Sequence, residues 1–535
     1  MKKISILRIW TICLAGVFLF FTQSASAEDT IDPELLQRLA AIPGLEIIEI
    51  DKRQVVKSSL KNTLQLILDL NTQIKSSVLG QEVAASELLA SQKRFNPTWV
   101  NKFQHQRSTS ASANFSGEGS SPYLLYNVNN ANSVSSSWSK KTSNGINYSA
   151  VLSASSSKNK GYYTEEEDGS LEDGFEDKDA VFSSSLTLGM SVPIFQGWGD
   201  INDIPLYKSE LKMKDSKVST HDTKLQILEA FAQIYWDLAG LWETKRVLQE
   251  AVKVSQQLLE EDRIRQDLGV AKLTDVKQSE IQLLKNKQSL SEVENNIRKV
   301  EDQVRIALDL RALPYGFLPG DRPQLHEAPV GFESLLEKVL NNSTDLQMLK
   351  SQIRINEYDL EKAHDQDDPD LDLNLSYTWS GAEKELFNTF DAYSKFELNG
   401  YQVGLTWSVP LYDYETAEQI KQKKLERTQL DIQVSSIKDQ LYVELKSIQR
   451  SLDFAERDIK QAIAIRELAA TLLDQEIEKQ SLGQSTSLDV SEAQQELISA
   501  QSNEIQSFIN YEKVYLSLLV LTGDIFEQYQ LPRQN

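Results

Sequence analysis

Cysteine is almost absent from this chain of 535 residues. The only one, Cys13, lies in an N-terminal segment with three basic residues, an apolar run at 9–21 and an Ala-Ser-Ala sequence that ends at Ala27. This pattern is typical of an export signal, which is cleaved after its small residues, here after Ala27. We therefore expect an exported chain that, without residues 1–27, has neither disulfides nor thiol chemistry.

Positive charge and long apolar runs are also scarce. The chain has 56 Lys and Arg against 78 Asp and Glu, which gives a net charge of −22. Nucleic acid is excluded as a partner, because phosphate binding requires a basic surface. After residue 27 no stretch approaches 18 apolar residues, so the sequence predicts no transmembrane helix.

Catalytic motifs are missing as well. The four histidines are scattered, and the sequence contains no H-E-x-x-H, phosphate loop or nucleophile elbow. We predict no enzyme activity, no metal site and no cofactor. The acidic run at 164–179 could bind divalent cations, but it lacks the D-x-D-x-D-G spacing of a calcium loop, and a solvated loop is the alternative.

What the sequence does contain is a twofold repeat. The turn glycines Gly269 and Gly483 lie 214 residues apart, and the prolines of two V-P-[IL]-[FY] segments, Pro193 and Pro410, lie 217 apart. Two copies of one unit account for this spacing. We divide the chain into a signal (1–27), an N-terminal arm (28–56), repeat 1 (57–313), a linker (314–331), repeat 2 (332–525) and a tail (526–535).

Helical periodicity dominates both repeats. Two very long helices are predicted at 205–266 and 415–480, because apolar residues recur at steps of three and four along the second, as in a coiled-coil seam. Each long helix ends at a turn glycine and returns as a shorter helix, at 273–310 and 488–521. Shorter helices are predicted at 58–93 and 332–364, with one more at 33–40 in the arm.

Four segments alternate between apolar and polar residues: 147–155, 185–194, 371–379 and 402–411. Such alternation predicts strands with one apolar and one polar face. A soluble sheet with one solvated face is one interpretation. The small uncharged residues on the polar face, the aromatic residues near the strand ends and the export signal favour an outer-membrane barrel. A weaker alternation at 108–116 leaves the strand count before residue 195 open.

Four strands are too few to close a membrane barrel, and open edges cannot face lipid. A membrane barrel therefore requires several chains, and three would supply 12 strands. The predicted fold class is a mixed α and β membrane protein: mostly long coiled-coil hairpins, with four strands per chain contributing to a shared trimeric 12-stranded barrel.

The combined pattern resembles the TolC family of outer-membrane efflux and secretion channels, over about residues 56–525. The resemblance rests on LGVAKLTDV (268–276), LGQSTSLDV (482–490) and SVPIFQGWGDINDIPLYKSEL (191–211), the last similar to the family's passage from barrel strand to periplasmic helix at Pro193. Pro410 marks the second such junction.

The resemblance implies a homotrimeric channel in the bacterial outer membrane that extends into the periplasm. It also implies two kinds of protein partner: a periplasmic membrane-fusion adaptor, and an inner-membrane pump or ABC exporter. The hairpin tips with Gly269, Thr274, Gly483 and Ser485 would meet the adaptor. Asp489 and Glu492 match the acidic pair that rings the narrow end of the tunnel in this family, and Asp275 matches its gate aspartate in the first turn. Ser485 stands where family members may carry a basic residue, so the closing network is altered here.

Each of these assignments has a simpler alternative. Thr486-x-x-Asp489 is a helix-capping sequence, and Lys272 with Asp275 could form a local surface pair. For the whole chain, the alternative is an exported coiled-coil adaptor or scaffold without a membrane barrel.

Overall fold

The computed structural model describes residues 46–50, 53–114, 123–164, 171–172, 179–310, 315–326, 331–395, 398–411 and 413–532. The predicted signal and the predicted helix at 33–40 lie outside this part of the chain, as does most of the acidic run at 164–179. The described residues form two compact units. The first has Met1–Ser76, His221–Ser343 and Gln440–Asn535, and the second has Ser77–Thr220 and Thr344–Asp439.

The helices, in chain order, are α1 (Leu60–Leu70), α2 (Thr72–Gln92), α3 (Ile204–Asp267), α4 (Leu273–Ala307), α5 (Phe332–Asn342), α6 (Thr344–Asp367), α7 (Leu386–Lys395), α8 (Tyr414–Ser481), α9 (Ser487–Thr522) and α10 (Ile525–Gln528). The strands are β1 (Glu46–Ile50), β2 (Arg53–Ser58), β3 (Thr98–Asn114), β4 (Tyr123–Lys141), β5 (Asn147–Thr164), β6 (Leu171–Glu172), β7 (Val181–Pro193), β8 (Gly316–Pro319), β9 (Asp370–Glu383) and β10 (Asn399–Ser408).

The long helices α3 and α8 and the return helix α9 confirm the sequence prediction to within one residue at each end, and α4 ends three residues early. The single helices predicted at 58–93 and 332–364 are wrong, because each is two helices. The first break lies at Asn71, whose extended backbone ends α1. Its Oδ1 accepts hydrogen bonds from the N–H groups of Gln73 and Ile74, at 2.9 and 3.2 Å, which start α2.

The core of the first unit lies where α1, α3, α4 and α9 pack. Its fully buried side chains include Leu64, Phe231, Tyr235 and Leu516. A three-stranded sheet, β1–β2–β8, covers part of it, and β2 and β8 are parallel. The predicted arm thus contributes two strands that the sequence analysis missed.

Buried acids hold the segment that connects the two repeats. Glu301, which is 1% exposed, accepts a hydrogen bond from the N–H of Phe317 at 3.0 Å and pairs with Arg53 at 2.6 Å. Glu512, which is 2% exposed, accepts from the N–H of Gln324 at 2.9 Å. These contacts satisfy the backbone N–H groups of Phe317 and Gln324, so they fix the described part of this segment, 315–326, outside any helix or large sheet.

The second unit is built on one antiparallel sheet of order β10–β9–β7–β5–β4–β3, with the short β6 beside β5. The described residues include six long strands in this sheet, so the predicted four are too few; both additional strands lie before residue 195, where the count was left open. The two strands that were not predicted, β3 and β4, carry Ser, Asn and Gln along most of their length, and the apolar alternation covers only a few residues at one end of each. Backbone pairing from Thr98↔Ser139 to Asn114↔Tyr123 forms the hairpin nevertheless.

One face of this sheet carries a band of apolar side chains, which we call the apolar belt. Its members are Trp99, Phe103, Val134, Trp138, Tyr148, Ala150, Leu152, Ala154, Leu186, Leu188, Met190, Val192, Leu371, Leu373, Leu375, Tyr377, Trp379, Tyr401, Val403, Leu405 and Trp407. The opposite face carries mainly Ser, Thr, Gly, Asn and Gln. The belt is open to solvent in the single chain, with Tyr401 82% and Trp99 73% exposed.

One junction proline ends a strand, and the other lies shortly after one. Pro193 is the last residue of β7 and pairs with Asp372, and the N–H of Ile194 donates to the carbonyl of Leu371 at 2.8 Å. The strand predicted at 402–411 ends at Ser408 instead, two residues before Pro410. Proline has no N–H to donate to a neighbouring strand, which favours an earlier end.

Candidate functional site: the two helical turns

The two turn glycines adopt the same left-handed backbone conformation, with φ of +75° at Gly269 and +73° at Gly483. In each turn the residue after the glycine bonds back across the helix end: Val270 N–H to Arg265 O at 2.9 Å, and Gln484 N–H to Lys479 O at 2.8 Å. This is the hydrogen bond of a Schellman-type helix end, where glycine is preferred because it lacks Cβ. The predicted equivalence of the two turns therefore holds in their geometry.

Replacement of either turn glycine by alanine is expected to destabilise the fold by about 1–2 kcal/mol, the cost of left-handed backbone for an L-residue. A Cβ at either position would meet no atom within 4 Å, so the effect comes from the backbone alone. Gly80→Ala is the matched control. Gly80 lies inside α2 and also has open space around its Cβ position, so this change should stabilise the protein by about 0.5–1 kcal/mol. Chemical unfolding followed by far-ultraviolet circular dichroism measures all three. Equal changes in the free energy of unfolding for the turn variants and for Gly80→Ala would show that the turn glycines are not required for their left-handed backbone.

The second turn is closed by a capping box at the start of α9. The carboxylate of Asp489 accepts from the N–H and the hydroxyl of Thr486, at 2.8 and 2.7 Å, and the Thr486 hydroxyl faces the N–H of Asp489. The N–H and hydroxyl of Thr486 hold the pKa of Asp489 below its usual value. Because the folded-state pKa is lowered, the cap contributes fully above the usual carboxyl pKa and is lost as the pH falls through the lowered value.

Ser485 lies between two acids of this turn. Its hydroxyl is 2.7 Å from Oε2 of Glu476 and 3.2 Å from Oδ2 of Asp489. Lys479 pairs with Glu476 at 2.6 Å, and together with the Ser485 hydroxyl it lowers the pKa of Glu476. Lys479, six residues before Ser485, thus contacts the same carboxylate as the Ser485 hydroxyl.

The first turn repeats the acidic cap, but Lys272 stands where the second turn has Thr486 and offers no side-chain hydroxyl. The carboxylate of Asp275 accepts from the backbone N–H of Lys272 at 3.0 Å, and the hydroxyl of Thr274 lies 3.4 Å from its other oxygen. The contact between Lys272 and Asp275 is therefore a backbone cap, whereas a pair of side chains was the alternative considered from the sequence. Asp275 caps α4 as Asp489 caps α9.

The acidic pair of the second turn lies on the outer face of α9. Asp489 and Glu492 are both exposed and three residues apart, so they share one side of the helix. The buried residues beside them, Val490, Ala493 and Gln494, face the interior of the helical hairpins. This geometry leaves the pair free to face a neighbouring molecule.

A residue that the sequence analysis missed joins the two turns. Asp262, near the end of α3, is fully buried and accepts hydrogen bonds from the hydroxyl of Ser279 on α4 and that of Ser487 on α9, the latter at 2.8 Å. Gln480 of α8 donates to the same Ser487 hydroxyl at 3.0 Å. One carboxylate thus connects both hairpins. The only sequence signal for it is an acid within the apolar periodicity of α3.

A second polar layer lies farther from the turns. Asn286 donates to the Ser255 hydroxyl at 2.7 Å, and Gln494 donates to the carbonyl of Ala251 at 3.1 Å. Apolar clusters flank these polar contacts: one contains Leu258, Leu473 and Val490, the other Leu259, Val276 and Leu283. The hairpin ends therefore pack as a specific bundle whose buried polar groups fix its register.

Two negative findings apply to the described part of the chain. No group of three or more His, Cys, Asp and Glu side chains there is arranged to hold a metal ion. Among the helices described, none combines the length and the apolar character that crossing a membrane requires.

Solved structures with the same fold are outer-membrane proteins. The chain aligns with the outer membrane protein VceC of Vibrio cholerae at 14% identity and a TM-score of 0.59, covering 87% of this chain and 96% of that one. It aligns with the CmeC outer membrane channel of Campylobacter jejuni at 14% identity and 0.61, covering 89% and 90%. It aligns with the MtrE outer membrane channel of Neisseria gonorrhoeae, in its open state, at 12% identity and a TM-score of 0.55, covering 87% of this chain and 88% of that one. The chain therefore shares its fold with these structures.

A family model also matches part of the sequence. Residues 145–308 match the family model described as outer membrane efflux protein. The matched region runs from β5 through the whole of α3, the first turn and α4. This part of the chain is therefore similar to outer membrane efflux proteins, which agrees with the family resemblance found in the sequence analysis. No curated protein sequence matches the chain.

Proposed function

We propose that this protein is the outer-membrane channel of a tripartite efflux or type I secretion system. It would give exported molecules a passive duct across the periplasm and the outer membrane, with a periplasmic end that can close. The observation that carries this proposal is the apolar belt: every long strand of the sheet contributes to it, on the same face, while the opposite face is polar. A soluble protein rarely exposes so large an apolar patch, whereas lipid would cover it.

The assembly proposed is a homotrimer. Within the described residues, β3 and β10 end the sheet, each with a neighbour on one side only. A membrane-embedded sheet needs partners for such edges, and other copies of the chain supply them. The two halves of the chain, each with shorter helices, strands and a long helical hairpin, would be internal repeats. The belt would contact outer-membrane lipid.

The hairpin tips are proposed to meet a periplasmic membrane-fusion adaptor, which in turn binds an inner-membrane pump or ABC exporter. The supporting observation is the rigid construction of both tips, which share left-handed glycines, acidic caps and the buried carboxylate of Asp262. Gly269, Gly483, Thr274 and Ser485 lie in these turns. Energy for transport would come from the inner-membrane partner.

Asp489, Glu492 and Asp275 are proposed to line the closed end. Three copies would bring six carboxylates of the α9 pairs around one axis, which attracts cations. We expect Asp489→Ala with Glu492→Ala to raise the resting conductance in planar bilayers several-fold and to abolish block by divalent cations. Because Asp489 also caps α9, Asp489→Asn with Glu492→Gln is the second variant, which keeps polar groups in the cap. Unchanged block in both variants would contradict the ring.

The molar mass of the detergent-extracted protein tests the proposed function most directly. Light scattering with the detergent contribution subtracted is expected to give three chains, from material that sediments with the outer membrane. Extraction by a salt wash without detergent, as a stable monomer, would contradict the channel and favour an exported coiled-coil adaptor or scaffold.

A further inference from the structure

We propose that three copies of this chain close a barrel of 18 strands, through pairing of β3 of each copy with β10 of the next. This inference rests on the proposed membrane channel and replaces the 12 strands expected from the sequence. Six strands per chain, all in one sheet, supply the number. The barrel has 18 strands if the hairpin of β3 and β4 lies in the membrane with the other four strands, and 12 if it does not.

The register of the sheet shows that this hairpin carries the same apolar belt. Directly paired residues form one line across all six strands: Tyr401, Tyr377, Leu188, Ala150, Trp138 and Trp99. Every member is apolar or aromatic. The next row on this face has Asn101 paired with Ser136, and four residues beyond Trp99 the apolar pattern returns, where Phe103 pairs with Val134 and Val134 with Ala154. A hairpin outside the membrane would expose the two tryptophans of this line, and Phe103 on the same face, to water, whereas lipid would cover them.

The belt also slants across the strands in the way that a barrel requires. The midpoint of the belt along β10 is Gly404, which pairs with Asn374 on β9. The midpoint along β3 is Asn101, which the successive strand pairings across the sheet align with Trp379 on β9. The middle therefore moves from position 374 to 379 on β9, five residues over five strand-to-strand steps. The belt thus shifts by one residue, about 3.3 Å along the strand, for each strand spacing of about 4.8 Å, and this ratio corresponds to a strand tilt of about 35°. This lies within the range of outer-membrane barrels, which is about 35–45°.

The two free edges fit each other. Along the sheet the strands alternate in direction, and six is an even number, so β10 of a second copy meets β3 in antiparallel orientation. Continuing the same slant by one residue places Gly404 of the next copy opposite Lys102. In that register Trp99 faces Trp407 and Phe103 faces Val403, so the apolar belt continues from copy to copy. On the other face Gln104 meets Gln402 and Thr98 meets Ser408, with Val100 opposite Thr406.

A larger strand number changes what the duct can carry. Barrel diameter grows roughly linearly with strand number, so 18 strands give a barrel wider by about half than 12. The inner surface is lined mainly by small polar side chains of β4, β5 and β7, such as Ser135, Ser137, Ser153 and Ser185. The outer-membrane part of this channel would therefore admit bulkier exported molecules than a 12-stranded barrel.

Cysteine cross-linking tests the pairing on a background without other cysteines, since Cys13 lies in the predicted signal. The variant is Lys102→Cys with Gly404→Cys in one chain, and a Cβ at position 404 has no neighbour closer than 4.0 Å. Facing strand residues have the Cα separation that a disulfide needs. Mild oxidation in isolated outer membranes is expected to give a covalent trimer on non-reducing gels. Two further pairs, Val100→Cys with Gly404→Cys and Gln104→Cys with Gly404→Cys, would cross-link if β3 were shifted by two residues along β10 in either direction.

The control tests the smaller barrel. If β3 and β4 lay outside the barrel, β5 would be the edge, and Ser153→Cys with Gly404→Cys would cross-link instead. That result overturns the 18-stranded barrel and leaves the channel standing. A detergent-extracted trimer in which no β3–β10 pair cross-links also overturns it. A salt-extracted monomer removes the channel and the barrel together, so the two proposals fail in different ways.

Discussion

Replacement of Leu188 by arginine is expected to keep the protein out of the outer membrane. Leu188 lies near the middle of the apolar belt on β7, between Ala150 and Tyr377, and is 44% exposed in the single chain. Arginine at the midplane on the lipid-facing side of a barrel costs about 2–4 kcal/mol. If the proposed trimer forms, the cost is met three times per barrel. Fractionation of membranes on a density gradient should show the variant lost from the outer membrane and recovered as degraded or aggregated protein.

Thr187→Arg provides the matched control for this change. Thr187 is the preceding residue of the same strand, so its side chain points to the polar face, where its hydroxyl lies 3.0 Å from that of Thr378. We expect this variant to reach the outer membrane in nearly normal amount, with a changed ion selectivity because the new charge lies in the lumen. Equal loss of both variants would indicate that neither face of β7 contacts lipid.

Replacement of Asp262 by alanine is expected to loosen the ends of both hairpins and to destabilise the first unit by about 1–3 kcal/mol. The change removes the acceptor for the hydroxyls of Ser279 and Ser487, which are themselves buried, and a buried donor without an acceptor costs about that much. Chemical unfolding and the rate of tryptic cleavage at Arg265, beside the first turn, measure the two effects. In the proposed channel the same variant should raise the resting conductance.

Two further variants separate this effect from a general loss of charge. Asp267→Ala removes an exposed aspartate five residues away at the end of α3, and should change stability by less than about 0.5 kcal/mol. In a double-mutant cycle, Asp262→Ala and Ser487→Ala should be strongly non-additive, because either change alone already breaks their hydrogen bond. Additive effects would show that Asp262 does not join the two hairpins.

The features of this fold that follow from local repetition could be predicted from the sequence. The ends of α3, α8 and α9 were predicted to within one residue, because glycine turns and a regular apolar seam define them. Gly269 and Gly483 were placed at helix-ending turns for the same reason. Pro193 was placed correctly at a strand end, since proline limits backbone pairing in a way that does not depend on the rest of the fold.

The features that depend on pairing partners could not be predicted. β3 and β4 have few apolar residues, and their place in the sheet follows from cross-strand register, which brings Trp99 beside Trp138. The capping role of Asp489 was one of two alternatives until its contacts with Thr486 were seen. Asp262 was missed because a buried acid in a coiled-coil seam is recognisable only when the serines on two other helices are in place. The proposed acidic ring stays a prediction, because it needs three copies.

The parallel pairing of β2 with β8 has a consequence for the order in which the protein acquires its structure. Val55 pairs with Gly316, so the first described strands of the chain complete their sheet with a segment about 260 residues farther along. An exported polypeptide emerges with its N-terminus first, and contacts this distant in sequence form late. If the chain is exported as predicted, the edge of β2 that pairs with β8 therefore has no partner until the first hairpin, α3 and α4, has emerged. We expect this edge to be where newly secreted chains depend most on periplasmic chaperones.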